Sequence, residues 1–354
     1  MASLFGTAIR RREDPRLITG RATYTDDIRL PGMAFAAFLR SPHAHARIKR
    51  IDTARARELP GVLAVFTAQD LDGQVGCIPT AWLVPNADLR TPPHPPLAAD
   101  RVRYVGDAVA VVVAEDRYTA RDALDLIEVE YEPLPAVVNQ EQAMEPGAPQ
   151  LHAEAPGNVA FRWTCGDLAK AEAAIDEAGQ APDGVVVRQR LVNQRLIPNA
   201  METRGSVAQF NPATGEMTIW LASQNPHIHR VLLSGILGIP EHKLRIIAPE
   251  VGGGFGSKIP CYAEEALVAF AARTLGRPVK WSEERRENYM ATIHGRDHIH
   301  DVVIAGRRDG TITAIKVRAL ANLGAYLSTA APGVPTILFG LMLQGAYRIS
   351  SVGC

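Results

Sequence analysis

Apolar positions along the chain change rhythm near residue 138. Before it they come as short runs, at 33–39, 62–66, 105–113 and 129–131, each read as a strand. Overlapping the third run, residues 108–114 are apolar throughout, which predicts a strand buried on both faces. The spacing between these runs predicts short helices over 53–59, closed by Pro60-Gly61, and over 117–127. Residues 84–97 carry five prolines and predict a long irregular surface loop. The polar stretch 139–158, rich in Ala, Glu and Pro, predicts a linker.

Beyond residue 158 the pattern lengthens. A helix is predicted over 169–178, and strands over 185–191, 217–221 and 244–248. Asn225-Pro226 supplies an N-cap and a first-position proline for a helix running through 237, with Gly238 and Pro240 closing it. A helix over 262–275 presents the stripe Ala263, Ala266, Leu267, Phe270 and Ala271, with Glu264 and Glu265 in its first turn and Gly276 and Pro278 ending it. Asp309-Gly310 between 302–304 and 312–317 predicts a hairpin. Strands and helices mixed in this way predict a loop-rich α+β or α/β protein of two or three units. No internal repeat interrupts it.

Composition narrows the function classes. The 38 Lys plus Arg balance the 38 Asp plus Glu, so no net field exists to draw nucleic acid or an anionic membrane. No apolar run approaches the roughly 18 residues needed to span a bilayer. The N-terminal segment lacks the apolar core of a secretory signal, and Glu13, Asp14 and Pro15 follow Arg10-Arg11-Arg12 where a twin-arginine leader would turn hydrophobic. Cys77, Cys165, Cys261 and Cys354 form no CxxC pair, which argues against an iron–sulfur cluster, a zinc knuckle or a disulfide framework. A cytoplasmic protein is expected.

The sharpest chemical feature is Val251-Gly252-Gly253-Gly254-Phe255-Gly256-Ser257-Lys258, between a predicted strand and a predicted helix. Its spacing fits neither a Walker A loop nor a Rossmann GxGxxG. It reads either as a tight turn or as an anion cradle of backbone N–H groups. Gln224, beside the Asn225 cap, reads as a loop residue or as an amide facing a ligand at that helix end. Glu202 and Arg204 in Met201-Glu202-Thr203-Arg204-Gly205 predict a turn held by charge-assisted hydrogen bonds, the alternative being Arg204 reaching a cofactor phosphate. The histidine groups His43/His45, His227/His229 and His294/His298/His300 complete no metal-ligand pattern, so no protein-ligated metal is expected.

Several ordered segments together resemble the molybdenum-cofactor-binding large subunit of the xanthine oxidase family, in particular the bacterial three-subunit carbon monoxide, aldehyde and xanthine dehydrogenases. They are Arg12-Glu13-Asp14-Pro15-Arg16-Leu17, Tyr24-Thr25-Asp26-Asp27, Arg40-Ser41-Pro42-His43-Ala44-His45-Ala46, Tyr104-Val105-Gly106-Asp107, Val129-Glu130-Tyr131-Glu132-Pro133, Met201 to Gly205, Ser223-Gln224-Asn225-Pro226 and the glycine loop. The resemblance implies a hammerhead domain over 1–138, a linker over 139–158 and an incomplete first molybdopterin-binding domain over 159–354. It implies that Gln224, Gly253, Gly254, Phe255 and Gly256 line a molybdenum–molybdopterin cofactor, in its cytosine dinucleotide form, whose dithiolene holds the metal without a protein ligand. It further implies oxidative hydroxylation of an electron-poor substrate with water as oxygen source, and electrons passed to an Fe–S small subunit and an FAD medium subunit.

The same resemblance places the family's general-base glutamate beyond Cys354. Ser350-Ser351-Val352-Gly353-Cys354 is expected to depart from the family pattern, as a truncated or split reading frame would. Two readings follow. The chain works with a separate polypeptide that supplies the remaining half, or it is an inactive fragment or assembly remnant without cofactor.

Overall fold

The computed structural model describes residues 4–71 and 73–354. Its strands are β1 (Ala34–Arg40), β2 (Ala46–Asp52), β3 (Val62–Thr67), β4 (Arg101–Val102), β5 (Ala108–Ala114), β6 (Glu128–Pro133), β7 (Gly184–Asn193), β8 (Gly205–Asn211), β9 (Glu216–Leu221), β10 (Leu244–Ile247), β11 (Val279–Ser282), β12 (His298–Arg307), β13 (Ile312–Ala321) and β14 (Ser351–Gly353). Its α-helices are α1 (Asp14–Ile18), α2 (Ala54–Glu58), α3 (Arg117–Leu124), α4 (Leu168–Gln180), α5 (Pro226–Leu237), α6 (Ala263–Leu275) and α7 (Arg285–Ala291).

Three sheets organise the α+β fold. The largest runs β10-β9-β8-β11-β1-β5-β3, the second β14-β13-β12-β7, and the third β4-β2-β6. The first takes strands from both sides of the 139–158 stretch, because β1 lies parallel to β11, with Ala34 opposite Val279. All seven residues of β5 are buried, as their unbroken apolar run requires. The strand starts at Ala108 rather than 105 because Gly106, at φ +104°, turns the chain and donates its N–H to the Ser41 carbonyl at 2.8 Å. Phe38 meets Trp281 edge-on at 5.4 Å and Phe66 meets Phe270 at 5.2 Å, so aromatic pairs tie β1, β3, β11 and α6 into one core.

Helix α6 is buried more completely than an amphipathic stripe predicts. Every residue from Glu264 to Ala272 is inside, including the two glutamates expected to serve only as first-turn charges. The sheet covers one side of the helix, and buried guanidinium groups claim Glu264 on another. The 139–158 stretch is also no extended spacer. Asn158 Nδ2 donates to the carbonyls of Ala143 and Pro149, Gln150 Nε2 donates to those of His152 and Ala155, and His152 Nε2 lies 2.6 Å from the Ala325 carbonyl. The 84–97 segment is irregular as expected, but its C-terminal end turns inward to bury Leu97.

The predicted hairpin is present and longer than its apolar runs, pairing β12 with β13 over ten residues each. Asp309 Oδ1 accepts the Thr311 N–H at its tip. Residues 350–354, expected to fall outside the pattern, are integrated: Ser351, Val352 and Gly353 pair parallel to β13. At the other edge β7 is unpaired on one side and exposes Val187, Leu191 and Val192. An open apolar edge strand is a template for pairing with another chain. The chain by itself should therefore self-associate, and Val187→Lys should lower the oligomer fraction in light scattering; a monomeric wild type at high concentration contradicts this.

Candidate functional site

The site is built where three loops leave the large sheet. The 199–204 segment enters β8, the 222–225 segment joins β9 to α5, and the 248–262 segment joins β10 to α6. Glu202 fastens the first loop to the third. Its N–H donates to the Gly252 carbonyl at 3.0 Å, while its Oε2 accepts the Gly252 N–H at 2.7 Å and Lys258 Nζ at 2.9 Å. Gln224 fastens the second to the third. Its N–H donates to the Lys258 carbonyl, and its Oε1 accepts the N–H groups of Gly256 (3.0 Å) and Lys258 (3.2 Å).

These clamps explain the glycines. A Cβ on Gly254 would lie 2.4 Å from Gln224 Oε1, so only glycine lets the amide close on the loop. Gly253, at φ +99°, holds a conformation that L side chains rarely adopt. Phe255 also has a positive φ, +51°, and the residue is 74% exposed. The turn is closed by Ser257 Oγ donating to the Gly254 carbonyl and by Tyr262 hydroxyl donating to the Ser257 carbonyl. The N–H groups of Gly253, Gly254 and Phe255, and Nε2 of Gln224, have no acceptor among the described residues. The loop thus presents unspent donors beside an exposed aromatic ring. Gln224, Gly253, Gly254, Phe255 and Gly256 are all brought together here. Helix α6 begins only at Ala263, so the donors come from the loop itself rather than from a helix end.

Asn225 occupies the N-cap of α5, but its side chain caps nothing. Ser223 Oγ accepts the Asn225 N–H instead. His229, one turn into α5, underpins this corner. Its Nδ1 faces Ser223 Oγ (2.9 Å) and the Asn225 carbonyl (3.2 Å), and its Nε2 faces the Pro260 carbonyl (3.2 Å) and Glu265 (3.3 Å). Burial opposes its charge, yet the Glu265 carboxylate and these acceptors outweigh burial and raise its pKa above 6.5.

Arg204 is turned inward, where carboxylates take up its donors. It is 3% exposed, and its Nε and backbone N–H donate to Glu283 while Nη1 and Nη2 donate to Glu264. Its guanidinium also stacks on Tyr262 at 3.9 Å. The expected turn between Glu202 and Arg204 is absent, because each finds a partner far along the chain. Burial alone would raise the Glu264 pKa, but Arg204 and Arg40 hold it down at about 2. Lys258, Glu283 and Arg285 were not singled out by sequence reasoning. Lys258 stands within the glycine motif, whereas Glu283 and Arg285, which donates to the carbonyls of Ala200 and Met201, carry no local signal. Among the described residues no group of three His, Cys, Asp or Glu side chains could hold a metal ion. His298 and His300 lie on one strand face with rings 5.5 Å apart, and His227 is exposed.

Two outcomes test this arrangement. Arg204→Ala leaves Glu264 and Glu283 buried without their cation and should cost about 3–5 kcal/mol in denaturant unfolding. A histidine whose folded pKa is raised contributes stability that is fully present below its unfolded pKa and is lost as pH rises through the folded one. The gap in urea midpoint between wild type and Glu265→Gln should therefore narrow as pH rises above 6.5; a gap constant with pH would show His229 to be neutral throughout.

Comparison with known proteins agrees with this layout. Residues 151–354 match the molybdopterin cofactor-binding domain, and residues 19–135 match the aldehyde oxidase and xanthine dehydrogenase a/b hammerhead domain. The first match includes 350–354, so the expected departure there is overturned. The carbon monoxide dehydrogenase large chain of Afipia carboxidovorans is 40% identical over 355 residues, covering 97% of this chain and 42% of the relative. The nicotine 6-hydroxylase large subunit of Paenarthrobacter nicotinovorans is 38% identical, with 92% and 39% covered. The crystal structure of quinoline 2-oxidoreductase from Pseudomonas putida 86 superposes with a TM-score of 0.89 at 38% identity, covering 98% of this chain and 43% of that one. The chain thus spans about two fifths of the length of these relatives. With the cofactor-domain match alone extending over more than half of its residues, the protein belongs to the molybdopterin-binding large-subunit family of the xanthine oxidase type.

Proposed function

We propose that this chain contributes half of a molybdenum–molybdopterin site in a hydroxylase that oxidises carbon monoxide, an aldehyde or an N-heterocycle with water as oxygen source. The observation that carries this reading is the cluster of unspent donors at Gly253, Gly254, Phe255 and Gln224, held in place by Glu202 and Lys258. A pterin cofactor and the oxygen atoms on its metal need such donors, so the residues present fit the group. When bound, the cofactor supplies two-electron oxidation of the substrate carbon. The chain's own part is to fix the cofactor's edge with backbone N–H groups and to aim Gln224 Nε2 at an oxygen. Phe255 supplies an apolar wall that keeps water from one side.

In this reading the hammerhead unit covers 1–138, a connecting segment 139–158 and the first cofactor-binding unit 159–354. The cofactor takes its cytosine dinucleotide form, and electrons leave through an Fe–S small subunit and an FAD medium subunit in the cytoplasm. Among the described residues no helix is long and apolar enough to cross a membrane.

Elemental analysis of the chain purified from its host with its bound subunits tests the proposal. Near-stoichiometric molybdenum is expected, and Gln224→Ala or Gly254→Val should reduce it by roughly tenfold or more. Absence of molybdenum from folded wild type, with no Fe–S or flavin subunit retained, leaves the fragment reading.

A further inference from the structure

Two of the four cysteines, 189 positions apart in the sequence, meet in the fold. Cys165 and Cys354 face each other across an antiparallel ladder. The Cys165 N–H donates to the Cys354 carbonyl and the Cys354 N–H to the Cys165 carbonyl, each at 3.0 Å. Residues that exchange both backbone hydrogen bonds stand about 5.5 Å apart at Cα, inside the roughly 4.4–6.8 Å that disulfides span.

The register cannot slip. The next pair is Gly166 and Gly353, and the Asp167 N–H donates to the Val352 carbonyl at 2.8 Å. A Cβ on Gly166 would sit 2.2 Å from the Val352 carbonyl oxygen, and one on Gly353 would sit 2.9 Å from Leu168 Cα. Backbones pressed this closely keep the cysteines opposed. Both are partly exposed, unlike buried Cys261, and each has a cysteine neighbour, unlike exposed Cys77.

We propose that Cys165 and Cys354 form a paired-thiol modification site, which a small hydroperoxide oxidises to an intrachain disulfide that locks β14 to the segment preceding α4. Each thiol gives up one proton and one electron as the S–S bond forms, and the O–O bond of hydrogen peroxide breaks to yield two waters. A reversible bond suits a reducing compartment, where lasting structural disulfides are rare. The lock acts on the end of the 334–350 segment, whose Leu338, Leu341, Met342 and Tyr347 are exposed. Burial raises both thiol pKa values, that of Cys354 to about 11, so reactive thiolate increases as pH rises.

The test is to treat the folded 354-residue chain with hydrogen peroxide, alkylate, and map peptides by mass. The expected product has lost two hydrogens, links the Cys165 and Cys354 peptides, and reverts with dithiothreitol. It should form up to about a hundredfold faster near pH 9 than near pH 7, because thiolate rises about tenfold per pH unit below the thiol pKa. Cys77→Ser should retain it, while Cys165→Ser and Cys354→Ser should each abolish it. Chymotryptic cleavage between 338 and 347 should slow several-fold in the oxidised form and not in Cys354→Ser. Full alkylation of both cysteines under an oxidant that consumes Cys77, a link through Cys77 or to a second chain, or a disulfide that leaves cleavage unchanged would each overturn the proposal.

Discussion

The loops of this protein are placed by one buried guanidinium. Arg204 sits between Glu264, at the start of α6, and Glu283, just past β11, with Arg40 from the end of β1 sharing Glu264 at 2.7 Å. Four chain segments far apart in sequence therefore end at one ionic cluster. Such a cluster is a poor source of net stability, since desolvation cancels much of the attraction. Its value lies in direction. An apolar core accepts many arrangements of similar energy, but a carboxylate with two hydrogen-bonded cations accepts few. The segment that leads into Arg204 carries Glu202, and the segment that leads into Glu264 carries the glycine loop. Fixing the arginine fixes both.

From there the glycine loop is held by partners that oppose its strain. Positive φ at Gly253, Phe255 and Gly256 is a conformation the chain does not adopt without support. Gln224 and Glu202 supply that support through hydrogen bonds to loop N–H groups, and Lys258 returns the charge to Glu202 from a buried position. Phe255 is informative because it is not glycine. Its backbone tolerates the left-handed region at a cost of order 1 kcal/mol, while its ring stays in solvent.

What could be read from the chain depended on how local the cause was. The all-apolar run of β5, the Asn225-Pro226 start and Gly238 end of α5, and the Asp309-Gly310 turn are set by residues within a few positions, and each element is where its pattern puts it. The assembly of Gln224 with the glycine loop followed from the family resemblance, not from periodicity. The parallel pairing of β1 with β11 had no local signal, because it depends on Phe38 and Trp281 meeting across 243 positions. Glu264 and Glu265 misled for the same reason. Acidic residues in a first turn are usually solvated, and only distant arginine and histidine partners make them interior groups.

Glutamate burial also sets how charge is arranged around the site. Glu264 and Glu283 are held ionised by Arg204, so the interior beneath the loops carries fixed charges already matched to one another. Lys258, by contrast, has its pKa lowered by burial despite Glu202 beside it. The loop surface above them then offers neutral N–H donors rather than net positive charge. These donors lie in a chain with no net charge and, among the described residues, no protein-derived metal cage.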